Sequence, residues 1–271
     1  MADAGLTRDE WLPRVPQLLD ECVESWQLRL GEPYPAGAVA HAIRADLPDG
    51  TPAVLKLSNP DREVEQEGDA LERWDGDGAV RLLARDDERH ALLLERCEPG
   101  TSLAAAPDAL DVLIGLLPRL WKSGEGFHTL EDETTYWVGE IERNVRDRTL
   151  KHAALQYIRE LASTQGEQVL LHQDLHGGNV LAAQREPWLV IDPKPLAGER
   201  EFAVASIVRS FELGHSKRDV VYRLDRLTDE LGLDRERALG WTVAQTVAWS
   251  GGGDYYVEWH VESVRWLLED T

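Results

Sequence analysis

Two short apolar runs bracket one polar stretch, and that arrangement constrains this chain more than any other feature. Val169–Leu171 leads into His172-Gln173-Asp174-Leu175-His176-Gly177-Gly178-Asn179, and Trp188–Ile191 follows and ends at Asp192. The pattern predicts a strand, a tight polar loop, a hairpin and an aspartate at the end of its second strand. The residue types at these spacings suit phosphoryl transfer. Asp174 can accept the proton of an attacking hydroxyl. Asn179 offers an amide oxygen to Mg²⁺, and Asp192 supplies a hard anionic ligand that bridges Mg²⁺ to nucleotide phosphates. Gly177-Gly178 lets the backbone turn tightly before Asn179, and His172 and His176 are assigned to bracing the loop. Two other readings compete. His172, Asp174 and His176 alternate as hydrolase metal ligands do on an extended strand, although His128, His152, His215 and His260 are scattered and form no helical His pair to complete a zinc site. The stretch could also be a purely structural turn.

Lys56 is the second constraint. Lysine is rare here, confined to positions 56, 122, 151, 194 and 217, and Lys56 sits in the apolar run Ala53-Val54-Leu55-Lys56-Leu57. A lysine in a half-buried strand needs a partner. It can reach the phosphates of ATP, or snorkel from an edge strand. Downstream, Asp61–Trp74 reads as a helix behind Pro60, with Asp75-Gly76 after it. Val64, Glu67, Leu71 and Trp74 fall on one face at helical spacing. Glu67 is therefore the inward acid and Lys56 its candidate cation, whereas Glu63 and Glu65 point elsewhere. Lys194, two residues after Asp192, is a further candidate for contact with phosphate or with the acidic loop.

His-x-Asp-Leu-x-x-x-Asn followed by Ile-Asp resembles the catalytic and metal loops of kinases. The second histidine of Asp174-Leu175-His176, and Pro193 in Ile191-Asp192-Pro193-Lys194-Pro195, resemble antibiotic phosphotransferases rather than protein kinases. This combination is similar to the aminoglycoside/hydroxyurea resistance kinase family, which includes streptomycin 6-phosphotransferases, over about Gly31 to Ser210. The resemblance implies an α+β, two-lobed, protein-kinase-like fold. A β-rich nucleotide-binding lobe would span residues 1–98, and a mainly helical catalytic and acceptor-binding lobe residues 99–271. It implies ATP and Mg²⁺ as cofactors. It places Gly37, in Pro35–Ala40, where a kinase carries its phosphate-covering loop, although an ordinary hairpin turn explains that stretch equally. It places Leu94 at the wall of an adenine pocket, with backbone groups of Glu95 and Cys97 at the adenine edge. One departure stands out. The family shows Gly-Asp-Pro-x-Tyr/Phe-Asp after the metal loop, and its last Asp braces the catalytic loop. Here Gly198-Glu199-Arg200-Glu201-Phe202-Ala203 puts Ala203 at that place. Glu199 or Glu201 could substitute, or the brace could be missing.

The remaining chain supports this frame. Trp11, Leu12, Val15, Leu18, Leu19, Cys22, Val23 and Trp26 predict a helical lead-in, and Gly31–Leu57 predicts three strands with a turn at Asp49-Gly50. Val80–Arg85 and Ala91–Leu94 form a second hairpin across Asp86-Asp87. Helices follow from 101 to 165, with the isolated His128 read as structural. Three or four more helices occupy 201–271, the last holding Tyr255, Tyr256, Trp259 and Trp266. By resemblance this end lines the acceptor pocket, where Glu212, Asp254, Glu258 and Glu262 are candidate carboxylates for ammonium or guanidinium groups. Trp249 and Trp259 are candidates for stacking or for core packing.

A formal charge of −21 over 271 residues excludes nucleic acid as a natural partner and favours cationic ligands. Cys22 and Cys97, far apart, make no disulfide framework and suit a reducing cytoplasm. No basic start leads into an apolar run, and no apolar stretch reaches the roughly 20 residues of a membrane span. The expected activity is transfer of the ATP γ-phosphoryl group to a hydroxyl of a small, polar, cationic acceptor. The rivals are a housekeeping kinase for a sugar, amino sugar or amino alcohol, and a non-catalytic nucleotide-binding protein. No Ala-Pro-Glu closes an activation segment after Asp192, so a protein kinase is not expected.

Overall fold

The computed structural model describes residues 8–34, 40–59, 61–252 and 255–270. They divide into two compact units, residues up to Thr101 together with Ala182–Ile191, and Ser102–Leu181 together with Asp192 onward.

In the first unit a helical turn and a 3₁₀ turn lead into helix α1 (Val15–Trp26). Five antiparallel strands follow: β1 (Arg29–Pro33), β2 (Ala40–Asp46), β3 (Pro52–Ser58), β4 (Leu82–Asp86) and β5 (Ala91–Glu95), in the order β1-β2-β3-β5-β4. Trp11, Val15, Leu18 and Cys22 pack on Ala45, Ala53, Leu55, Leu57 and Leu93, while Leu12 turns outward, 36% exposed. The β2–β3 turn closes as its sequence predicts. Gly50 takes φ +87° and Asp49 Oδ1 accepts from Thr51 N at 2.9 Å. β3 is the central strand and is buried on both faces over Leu55–Ser58.

Helix α2 (Glu67–Trp74) begins six residues later than spacing from Asp61 predicts. Asp61 Oδ1 accepts from Glu63 N, and Val64 N and Glu67 N bond three residues back, to Asp61 O and Val64 O. These are turn bonds, and they draw the backbone away from the α-helical four-residue ladder. The inward face survives, with Glu67, Leu71 and Trp74 each 1% exposed.

Residues 182–191 belong to the first unit, although 99–271 is the span predicted for the second. The cause is local. Val190 pairs with Ala79, and the Arg185 guanidinium binds the Glu95 carboxylate at 2.9 Å and the carbonyls of Gly76 and Ala79.

The second unit is mainly helical: α3 (Ala109–Leu120), α4 (Leu130–Asn144), α5 (Arg148–Leu161), α6 (Lys217–Leu231), α7 (Arg235–Ala248) and α8 (Glu258–Leu268). Asp147, Ser216 and Asp234 cap α5, α6 and α7 through side-chain oxygens, and Gly232 ends α6 at φ +65°. Every residue of α7 from Ala238 to Ala248 is buried, as suits a helix at the centre of its unit. Strand β6 (Gln168–Leu171) pairs antiparallel with β7 (Leu196–Glu199). Tyr255 and Tyr256 lie outside the last helix, contrary to the sequence expectation, because they pair with Gly251 and Gly252 in a two-stranded ribbon. No described helix is long and apolar enough to cross a membrane.

Candidate active site

β6 delivers the chain to the polar loop and ends at Leu171, so residues 172–176 are not an extended strand. The alternation on which a His172/Asp174/His176 metal cluster depends is therefore missing. Among the described residues no three His, Cys, Asp or Glu gather as a metal site. The loop is fastened from within. Asp174 N donates to His172 O at 2.8 Å and faces His172 Nδ1 at 3.3 Å, and Lys194 N donates to His172 O at 3.1 Å. Gly178 N donates to His176 Nδ1 at 3.1 Å, which caps the 3₁₀ turn Gly177–Asn179. Asn179 Nδ2 donates to Asp174 O at 2.9 Å. That bond joins the two ends of the motif and leaves Asn179 Oδ1 out of it. Asp192 is exposed two residues past the short strand Trp188–Val190, in the left-handed conformation at φ +56°. One amide oxygen and one carboxylate are hard donors of the kind Mg²⁺ takes alongside water and phosphate, so Asn179 and Asp192 fit the ion.

Two cations flank Asp174. Arg209 Nη2 lies 3.3 Å from Oδ1, and Lys194 Nζ lies 3.9 Å from Oδ2. Both cations also sit 4.7 Å from the ring of Trp249. Trp249 is thus occupied by the protein's own charges. Arg209 is 4% exposed, and its Nη1 donates to Gln245 Oε1. Burial pulls its guanidinium down to about 10, against the pull of Asp174.

Neither acid considered as a substitute at Ala203 reaches the loop. Glu199, 2% exposed, binds Arg237, Trp241 Nε1 and Gly166 N, and Glu201 accepts from Asp234 N. The loop is held by other groups. Ser206 Oγ donates to Leu175 O at 2.7 Å, and Gln245 Nε2 donates to Gln173 O at 2.9 Å. Ser206, Arg209 and Gln245 were not singled out in the sequence. A lone charge after Ile207-Val208, and a lone amide within Ala244–Val247, carry the same signal that marks Lys56.

In the first unit Lys56 Nζ lies 2.6 Å from both Glu67 carboxylate oxygens, and the pair is buried. Helix spacing thus selects the right acid among three. Leu94 is buried opposite Val54. Burial pushes the Glu95 carboxyl up, but its bonds to Arg185 and Arg81 N outweigh this and hold it below the usual range. Burial raises the Cys97 thiol to about 12. Gly37 lies outside the described residues.

The acceptor candidates separate. Glu212 Oε1 lies 3.2 Å from His176 Nδ1 and accepts from Gly178 N at 3.0 Å. Half-burial raises its carboxyl, but these contacts prevail and lower it. Glu262 pairs with His215 at 3.0 Å, beside an aromatic group of Phe211, Trp259 and Trp266. Glu258 is exposed at the start of α8. Asp254 lies outside the described residues.

Residues 28–252 match the model of the family described as aminoglycoside/hydroxyurea antibiotic resistance kinase. The chain belongs to that family. Among its relatives, the hydroxyurea phosphotransferase of Kitasatospora aureofaciens is 38% identical over 90% of this chain and 74% of its own length. The streptomycin 6-kinase of Streptomyces glaucescens is 39% identical over 86% of this chain and 80% of its own. A choline kinase, LicA from Streptococcus pneumoniae, shares the fold at TM-score 0.71 and 16% identity, covering 94% of this chain and 99% of that one. The aminoglycoside phosphotransferase APH(4)-Ia does so at 0.59 and 16%, over 94% and 96%. This member of the resistance kinase family is a small-molecule kinase, with a β-sheet unit and a helical unit of the protein-kinase-like fold.

Proposed function

We propose that this kinase moves the γ-phosphoryl group of ATP to a hydroxyl of a small, polar, cationic acceptor of the aminoglycoside type. The observation that carries the reading is the Asn179–Asp174 bond, which fixes a proton acceptor and a metal-directed amide oxygen in one short loop. Asp174 orients the acceptor hydroxyl and takes its proton. Lys56, held by Glu67, offsets charge on the nucleotide phosphates. Asn179 and Asp192 hold Mg²⁺, which supplies charge neutralisation to the transferring group. Positioning and electrostatics carry the rate, since the reaction asks little covalent chemistry of the protein. Backbone groups at Glu95 and Cys97, with Leu94 beside them, receive the adenine, and Gly37 lies in the loop over the phosphates. Glu258 and Glu262 are the acids offered to the acceptor's cations, and Asp254 joins them by its place in the chain. Glu212 serves that end indirectly, through His176 and Gly178. Need for ATP and two cysteines without a disulfide fit a cytoplasmic enzyme.

The test is ADP release with Mg·ATP against streptomycin, other aminoglycosides, hydroxyurea and amino sugars. Turnover is expected on a cationic acceptor. Asp174→Ala should abolish it while leaving the ATP Kd within about threefold, because Asp174 acts in the transition state rather than in nucleotide binding. Equal loss of transfer and of ATP binding would overturn the role given to Asp174. Turnover confined to neutral sugars would overturn the cationic acceptor.

A further inference from the structure

We propose that Gln245 is a positioning residue for Asp174, fixing the catalytic carboxylate from two sides and taking the place of the acidic brace that Ala203 does not provide. The inference rests on the catalytic role given above to Asp174.

Gln245 is fully buried near the end of α7, and both ends of its amide are used. Its Nε2 donates to Gln173 O at 2.9 Å. Gln173 is the residue just before Asp174 and holds φ +63°, a conformation that side chains other than glycine and asparagine rarely keep without outside support. The Gln245 Oε1 accepts from Arg209 Nη1, and Arg209 Nη2 reaches Asp174 Oδ1 at 3.3 Å. One amide therefore sets the backbone that carries Asp174 and the cation that aims its carboxylate. Glutamine suits this place because it donates and accepts at once. A carboxylate could accept from Arg209 but could not donate to Gln173 O, and it would compete with Asp174 for the guanidinium. Trp249 closes the arrangement by stacking on Arg209, which limits the cation's other directions.

The experiment compares Gln245→Glu, Gln245→Met and, as a control on the same helix, Thr246→Val. Thr246 is buried, and its hydroxyl has no hydrogen-bond partner among the described residues. Three quantities are read for each: kcat and ATP KM, the thermal midpoint, and amide hydrogen exchange of residues 172–176. Both Gln245 variants should lose about 10–100-fold in kcat with ATP KM within about threefold, the scale of a misplaced catalytic group. Loop exchange should quicken. Gln245→Glu is the sharper arm. Its new pairing with Arg209 should keep the thermal midpoint near that of the wild type while kcat falls at least as far as in Gln245→Met, a split that a merely structural role would not give. Thr246→Val should leave all three unchanged. Unchanged kcat and unchanged loop exchange in Gln245→Met would overturn the proposal. So would a kcat loss in Gln245→Glu that simply follows the thermal midpoint. If the wild type transfers to no acceptor, the catalytic reading fails, and the exchange of residues 172–176 alone decides whether Gln245 holds the loop.

Discussion

Glu67 is a residue whose loss should cost the fold heavily, because its carboxylate is buried on a cation. Lys56 and Glu67 are buried against each other, and removing one partner takes from the other the short ion pair that offsets its burial. Glu67→Ala should destabilise by about 3–5 kcal/mol, whereas the double change Lys56→Met with Glu67→Leu should recover most of that loss. Urea unfolding of the three proteins checks both numbers. The pair was legible because a charge in an apolar run demands a partner and helix spacing names one. Arg209 and Gln245 break apolar runs in the same way, yet their partners lie 35 and 72 residues away. No local spacing connects them, so their roles emerge only from the fold. His260 gives a residue-scale effect of pH. Burial pushes its imidazole down to about 3, the Arg209 charge adds to this, and the Trp249 carbonyl opposes it. Between the ordinary value near 6.5 and about 3, the unfolded chain takes up a proton that the folded chain refuses. Stability should therefore be full above pH ~6.5 and decline as pH falls toward 3. Denaturant midpoints across that range should decline less steeply for His260→Gln.

At the scale of elements, two glycines make opposite predictions. A Cβ on Gly240 of α7 would come within 2.6 Å of Tyr157 and 2.8 Å of Leu161 on α5. Gly240→Ala should lower the thermal midpoint, at about 1–3 kcal/mol, and largely spare kcat. A Cβ on Gly177 would come within 2.8 Å of the Ala104 Cα and within 2.8 Å of Glu212 Oε1. Backbone cannot give way as a side-chain tip can, so Gly177→Ala should displace the 3₁₀ turn and Asn179 with it. Its kcat should fall further than its stability. Measuring both quantities for both variants separates a packing glycine from a loop glycine. Most elements could be read from apolar periodicity, including the helical lead-in and the strand into the loop. The errors came where short-range bonds compete with that period. Asp61 draws its neighbours into turns ahead of α2, and Gly251-Gly252 recruits Tyr255-Tyr256 into a ribbon that aromatic content alone does not announce.

For the molecule as a whole, a charge of −21 should concentrate cationic acceptors near the surface. Salt screens such fields over about 8–10 Å near physiological strength, so KM for a cationic acceptor should rise with ionic strength while KM for a neutral one stays level. The chain crosses between its two units at Thr101, Leu181 and Ile191, where the resemblance implies a single boundary at 98. The return of residues 182–191 to the first unit was not legible, because Arg185 is one of many arginines and its three acceptors lie about a hundred residues upstream. That return affects how the protein is made. Ribosomes release the chain from its N-terminus, so β1 to β5 emerge well before Arg185 and Val190 exist to complete their unit. At about 5–20 residues per second, the roughly 90 residues from Thr101 to Ile191 take on the order of 5–18 seconds. For that interval the nascent sheet has no Arg185 to anchor Glu95 and no Val190 to pair with Ala79. It must wait unfinished, and a fragment ending at Thr101 should therefore be recovered in the aggregated fraction.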